Sequence, residues 1–161
     1  MVELADSIHY PTTEYQQMAE MAIAGFGRFW NPELGYCYDV IDGPQDYDDS
    51  LRPNQIFAVS LNHSPLTPAK QRGIVDACAR NLLTSYGLRS LSPDRHEYKG
   101  KYVGDRFERD GAYHQGTVWG WLIGPFVLAH LRVYHQPEQA RMFLQPIADH
   151  LLDACVGFRL F

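Results

Sequence analysis

A chain of 161 residues, 45% hydrophobic and 20% charged, has the size and composition of one ordinary globular domain. A chain of this length buries roughly 70% of its unfolded surface, enough for a real core. The net charge of -5 and the lack of any Lys/Arg run argue against nucleic acid as a partner, and the longest apolar stretch, Thr117–Leu131, is too short and too interrupted to span a membrane.

The N-terminus, MVELADSIHYPTTEY, has neither a basic start nor an apolar h-region, so it does not read as a signal peptide. Cys37, Cys78 and Cys155 are odd in number and far apart, and read as buried small hydrophobes in a reducing compartment. A cytoplasmic protein is the expectation. His9, His63, His96, His130, His135 and His150 show no ligand spacing, so neither a metal nor a cofactor is expected.

The first helix opens at Thr13, with Gln16 three residues on as a capping box, and runs to about Trp30. Met18, Ala22, Phe26 and Phe29 line one face and Glu14, Gln17, Glu20 and Arg28 the rest, an amphipathic pattern with one wet side. Tyr36–Ile41 has the aromatic and β-branched content of a short strand, and DGPQDYDDS is a turn-rich loop. Pro53 starts a mostly apolar second helix, reaching about Asn62. A third runs from the Thr67-Pro68 start to about Leu83, with Ile74, Cys78, Ala79 and Leu82 as its stripe. The segment from Tyr86 to Gly116 is irregular, and a connection of that length inside a compact domain is usually functional or disordered. Its many aromatic and aliphatic side chains disfavour disorder. A fourth helix, Gly116 to Tyr134, is apolar nearly all round, and a fifth, Pro137 to Cys155, should be kinked or split by Pro146.

Wet-sided helices thus alternate with nearly dry ones, and the dry ones follow the two long polar and aromatic loops. Two helix layers with a pocket at one end would produce that pattern; a helical array whose loops merely pack would produce it too. Arg52 and Asn54 precede one dry helix, while Asp110, Tyr113, His114, Gln115 and Trp119 lead into the other. Sugar hydroxyls both donate and accept, which suits planar groups such as Arg, Asn and Gln. The plainer alternatives are an Arg52 ion pair with Asp48 or Asp49, an Asn54 helix cap, and a Trp119 that plugs the core. Arg89 should reach for a carboxylate, and Tyr98 and Lys99 belong to a solvated loop or the pocket rim. Glu108 and Asp110 have the chemistry of a glycosidase pair. Two carboxylates on one loop do not flank a bond from opposite faces, however, and Arg106 and Arg109 are local partners for them.

The blocks GYCYDVIDG, LRPNQIFAVSL, YGLRSLSP and YKGKYVGDRFERDGAYHQGTVW, in that order, resemble the C-terminal amylo-α-1,6-glucosidase domain of glycogen debranching enzymes. The resemblance covers about residues 14–157, leaving 1–13 as an N-terminal extension and 158–161 as a non-matching tail. It implies an all-α fold, part of an (α/α)6 toroid with about five helices in inner and outer layers. It also implies a branched α-glucan (glycogen or limit dextrin) as the ligand, with α-1,6-linked branch stubs as the bond cleaved. The family's upstream Trp-Met-Asp pattern is missing, and FRLF does not resemble the loop that carries its base. No catalytic residue is therefore assigned. The expectation is a fragment holding part of the glucan pocket, inactive alone and completed by complementary segments of the same enzyme. A stand-alone glucan-binding module and a non-functional remnant are the alternatives.

Overall fold

The computed structural model describes residues 1–44 and 46–157, without side-chain detail for 154–157; the tail at 158–161 lies outside the described residues. Helix α1 spans Val2–Ser7 and α2 spans Thr13–Phe26. A 3-10 turn, Gly27–Phe29, then delivers the chain to two hairpins. Strand β1 (Trp30–Asn31) pairs antiparallel with β2 (Tyr36–Cys37), and β3 (Val40–Gly43) with β4 (Asp46–Asp48). A 3-10 turn at Pro53–Ile56 leads into α3 (Phe57–Ser60), followed by α4 (Pro68–Asn81). Strands β5 (Leu83–Thr84) and β6 (Gly87–Arg89) form a hairpin, and α5 covers Arg106–Ala112. Strand β7 (Val118–Trp119) joins β6 before a 3-10 turn, Gly120–Leu122, enters α6 (Ile123–Tyr134). Helices α7 (Pro137–Met142) and α8 (Gln145–Gly157) follow.

The expected all-α toroid fragment is therefore corrected to a mixed α/β arrangement with three small antiparallel sheets. Strands of two or three residues carry no periodicity of their own, so only their pairing reveals them. The clearest case is the segment expected as a single helix from Gly116 to Tyr134. Its first residues are extended because Val118 and Trp119 pair with Arg89 and Leu88. Gly116 permits the entry: it sits at φ +133°, and a Cβ there would lie 2.5 Å from the Tyr98 ring. Gly87 allows the close approach of β7, since a Cβ on it would stand 2.3 Å from the Trp119 carbonyl oxygen. The expected split occurs just before Pro146: α7 ends at Met142 and Pro146 sits in the first turn of α8, where its missing N–H is tolerated.

The core lies between α3, α4 and α6. Ile56, Ile74, Val75, Cys78, Leu82, Leu88 and Phe126 are fully buried there. Arg132 of α6 ties off the end of α3, donating to the Val59 carbonyl at 3.3 Å, to Asn62 Oδ1 at 2.8 Å and to the Leu61 carbonyl. Cys37 and Cys78 are buried and unbonded, and burial pushes their thiols up to about 11 and about 12. The side chain of Cys155 lies outside the described residues. Among the described residues no helix is long and apolar enough to cross a membrane.

Helix α2 is the exception to the core. It ends four residues earlier than expected, Thr12 replaces Thr13 at its N-cap, and no side chain caps it. None of its residues is buried; Met18, Met21 and Ile23 are 59%, 74% and 54% exposed. Its C-terminal end is anchored, where Phe26 packs on Phe29 at 5.4 Å and both touch the core.

Candidate functional site

Arg52 organises the site. It occupies an extended position just before the 3-10 turn at Pro53, so its side chain leaves the core and crosses to other loops. Its Nε lies 3.2 Å from Asp39 Oδ2. Nη1 donates to the His114 carbonyl at 2.5 Å and to the Ser90 carbonyl at 3.2 Å. Nη2 donates to Gln115 Oε1 at 3.1 Å. The rigid guanidinium fork thus binds three distant segments at once, which a lysine point charge would not do. The expected partners are satisfied elsewhere: Asp48 accepts from the Ser50 N–H at 2.8 Å, and Asp49 pairs with Arg95.

Asp39 completes this node. Its carboxylate accepts from Asn54 Nδ2 at 3.3 Å as well as pairing with Arg52. Desolvation raises its pKa above the ordinary carboxylate value, while Arg52 and Asn54 oppose the shift and Asp48 adds to it. Neighbouring loops are held just as firmly. Gln55 accepts from the Cys37 N–H at 3.0 Å and donates to the Arg52 carbonyl at 3.1 Å. Buried Ser90 accepts from the Gly116 N–H at 2.9 Å, fixing the turn after Gln115.

Above the node opens a cleft of about 450 Å3, lined by Asp39, Arg52, Asn54, Tyr113, His114 and Trp119, with Pro53, Ser90, Trp121 and Leu122 completing its wall. Of the residues singled out from sequence, Arg52, Asn54, Tyr113, His114 and Trp119 meet here. Gln115 stands behind the wall, holding Arg52. Asp110 does not reach the cleft; it is exposed and lies 3.6 Å from Arg106 one helical turn away. Tyr113 packs on Trp119 at 4.6 Å and on the His114 ring at 4.8 Å, so the aromatic wall is a packed unit. Beside the same node a second cleft of about 400 Å3 shares Asp39, Arg52 and Asn54 with the first and adds Phe26, Phe29, Phe57 and Leu61.

Glu108 is occupied by local structure. Its backbone N–H donates to Asp105 Oδ1 and its carboxylate accepts from the Asp105 N–H, each at 2.9 Å, a reciprocal capping box at the start of α5. Arg109 donates to the Gly104 carbonyl. Arg89 finds the Tyr98 hydroxyl at 3.2 Å rather than a carboxylate.

Sequence reasoning missed Asp39 and Trp121 as wall residues. Asp39 stands inside the GYCYDVIDG block, whose aromatic and β-branched content predicts a strand through it. The structure ends β2 at Cys37 and starts β3 at Val40, leaving Asp39 in the break where it can turn toward Arg52. An acidic residue interrupting an aromatic and β-branched run was the available signal.

The family profile described as Amylo-alpha-1,6-glucosidase matches residues 1–158. The chain belongs to this family. Among curated proteins it is similar to the glycogen debranching enzyme of Saccharomyces cerevisiae, 29% identical over 108 residues. That match covers 63% of this chain and 7% of the yeast protein, so the chain spans a small part of the length of this relative. For a member of the amylo-α-1,6-glucosidase family the informative point is the count of carboxylates. Among the described residues lining the cleft, Asp39 is the one carboxylate.

Proposed function

We propose that this chain carries part of the glucan-binding cleft of an amylo-α-1,6-glucosidase and does not hydrolyse glucan by itself. The observation that carries the reading is the single cleft carboxylate, Asp39, held beside Arg52 and Asn54 and faced by the Trp119 wall. Glycoside hydrolysis requires two carboxyl groups across the scissile bond, roughly 5–5.5 Å apart for retention or 6.5–9.5 Å for inversion. The raised pKa of a catalytic acid also depends on a water-excluding pocket, and this cleft is open. Asp39 and Asn54 would instead take glucose hydroxyls, one as acceptor and the other through its amide and carbonyl, while the aromatic wall covers the ring. Arg52 spends most of its donors on Asp39, Ser90, His114 and Gln115, which makes it chiefly the residue that positions the wall. Further segments of the same enzyme would supply the acid and base. The exposed Met18, Met21 and Ile23 of α2 and the Phe26, Phe29 and Phe57 side of the second cleft are the surfaces on which such segments would seat.

The test is the purified 161-residue protein with a branched limit dextrin and, separately, with isomaltose in a calorimeter. No glucose release is expected from the chain alone. Isomaltose binding should weaken about tenfold in Asp39→Asn, the loss of one charge-assisted hydrogen bond. Glucose release above buffer that Glu108→Gln, Asp110→Asn or Asp39→Asn abolishes would refute the reading. Release restored by co-expressed complementary segments would support it over a binding module without catalysis.

A further inference from the structure

We propose that Trp121, Tyr86 and His150 form an aromatic track outside the cleft that takes the α-1,4-linked glucosyl residues next to a branch point. The proposal rests on the glucan reading of the cleft and extends it to substrate length. Trp121 is the joint: it lines both the cleft beside Arg52 and a shallow apolar groove of about 550 Å3 formed with Tyr86, Gly120, Ile123, Ile147 and His150. Two sites that share one ring can hold consecutive units of one chain.

Each part of the track is held in place. Trp121 is 64% exposed although one face stacks on Phe57, with centroids 6.0 Å apart and planes inclined by 23°. Its remaining surface is therefore presented to solvent by a backed ring. Tyr86 is 53% exposed and sits in the β5–β6 turn, where Thr84 Oγ1 accepts from its N–H at 3.3 Å and donates to the Gly87 carbonyl at 2.9 Å. His150 of α8 meets the Tyr86 ring edge-on at 5.6 Å. Gly120 places no side chain on the floor between the rings. Ile123 and Ile147 make the floor apolar, and the Tyr86 hydroxyl and His150 ring nitrogens supply polar edges. A pyranose has the matching surface, an apolar ring face rimmed by hydroxyl groups that donate and accept.

The experiment compares isomaltose with a maltotetraose bearing one α-1,6-linked glucose, by calorimetry on the intact chain. The wild type should bind the branched pentasaccharide about tenfold more tightly than isomaltose, because it occupies the track as well as the cleft. Tyr86→Ala should remove about fivefold of that affinity, the scale of one aromatic contact, and leave isomaltose binding unchanged. Tyr86→Phe should keep most of it. Unchanged isomaltose binding also shows that the variant is folded. Equal affinities for the two sugars, or a Tyr86→Ala chain that binds the pentasaccharide normally, would overturn the track and leave the cleft reading standing. A wild type that binds neither sugar would overturn both. A Tyr86→Ala chain whose oligomeric state changes in size-exclusion chromatography while its sugar affinities do not would mark the groove as a protein contact and overturn the track.

Discussion

Helices α2 and α4 are both 14 residues long and both amphipathic, yet they end in opposite situations. Ile74, Val75, Ala77 and Cys78 of α4 are buried against α3 and α6, whereas no residue of α2 is buried. Taken whole, α2 is if anything the more apolar helix, with Glu14 and Glu20 as its charges against Lys70, Arg72, Asp76 and Arg80 in α4. An apolar stripe is thus a capacity for burial. Whether it is used depends on a neighbour arriving with a complementary face, and most helical stability in proteins comes from that packing rather than from propensity. Helix α4 has such neighbours in this chain. Helix α2 touches the remainder mainly through its C-terminal turn.

The contrast can be broken most directly in the packed region. Phe126→Ala should cost about 3–5 kcal/mol, because the ring is fully buried, meets Phe143 edge-on at 5.3 Å and leaves a cavity that the surrounding helices fill only partly. Urea denaturation monitored by circular dichroism measures this. A loss below about 1 kcal/mol would mean that the α4–α6 block is not the core.

A smaller effect should come from His130, buried in the same block among Phe126, Tyr134 and Phe143. Its Nδ1 has no hydrogen-bond partner among the described residues. Burial lowers its pKa from 6.5, while the Asp76 carboxylate, bound to the Tyr134 hydroxyl, pulls the other way. The folded state therefore takes up the proton less readily than the unfolded chain. The stabilisation is complete above about pH 6.5 and is lost as the pH falls through the lower, folded-state value. The urea midpoint should fall between about pH 7.5 and pH 5.5, and His130→Phe should flatten that fall. An equally steep fall in the variant would assign it to other groups.

The smallest effect belongs to α2. Met18→Ser, at a site 59% exposed, should change stability by no more than about 0.5 kcal/mol. A loss of 2 kcal/mol or more, on the scale of about one buried side chain, would show that α2 packs in solution and would remove the contrast with α4.

The site divides along similar lines. Arg52 could be picked out because it stands in the LRPNQIFAVSL block and carries the planar donors that suit sugar hydroxyls. Its partner could not, since Asp48 and Asp49 are closer in sequence than Asp39. Only the β2–β3 break brings Asp39 to 3.2 Å from the guanidinium. Asp110 is expected in the pocket and instead pairs with Arg106 four residues away, as the alternative had it, while Glu108 turns back three residues to Asp105 and not to an arginine. The sheets were the least legible part. Val118 and Trp119 have strand propensity, but a two-residue strand exists only when a distant segment such as Leu88–Arg89 lies alongside it.

What the sequence determined by itself was what acts over one helical turn or less. It set the starts at Pro53 and Pro68, the break just before Pro146, the capping box of Asp105 and Glu108, and the family to which the ordered blocks belong. The tertiary structure alone decided which amphipathic helix is buried, that strands form at all, and that Asp39 and Trp121 line the cleft. Those outcomes depend on contacts between residues far apart in the chain. The entropy of closing the intervening loops must be offset by surfaces that fit, and fit is a property of the assembled elements that no local pattern contains.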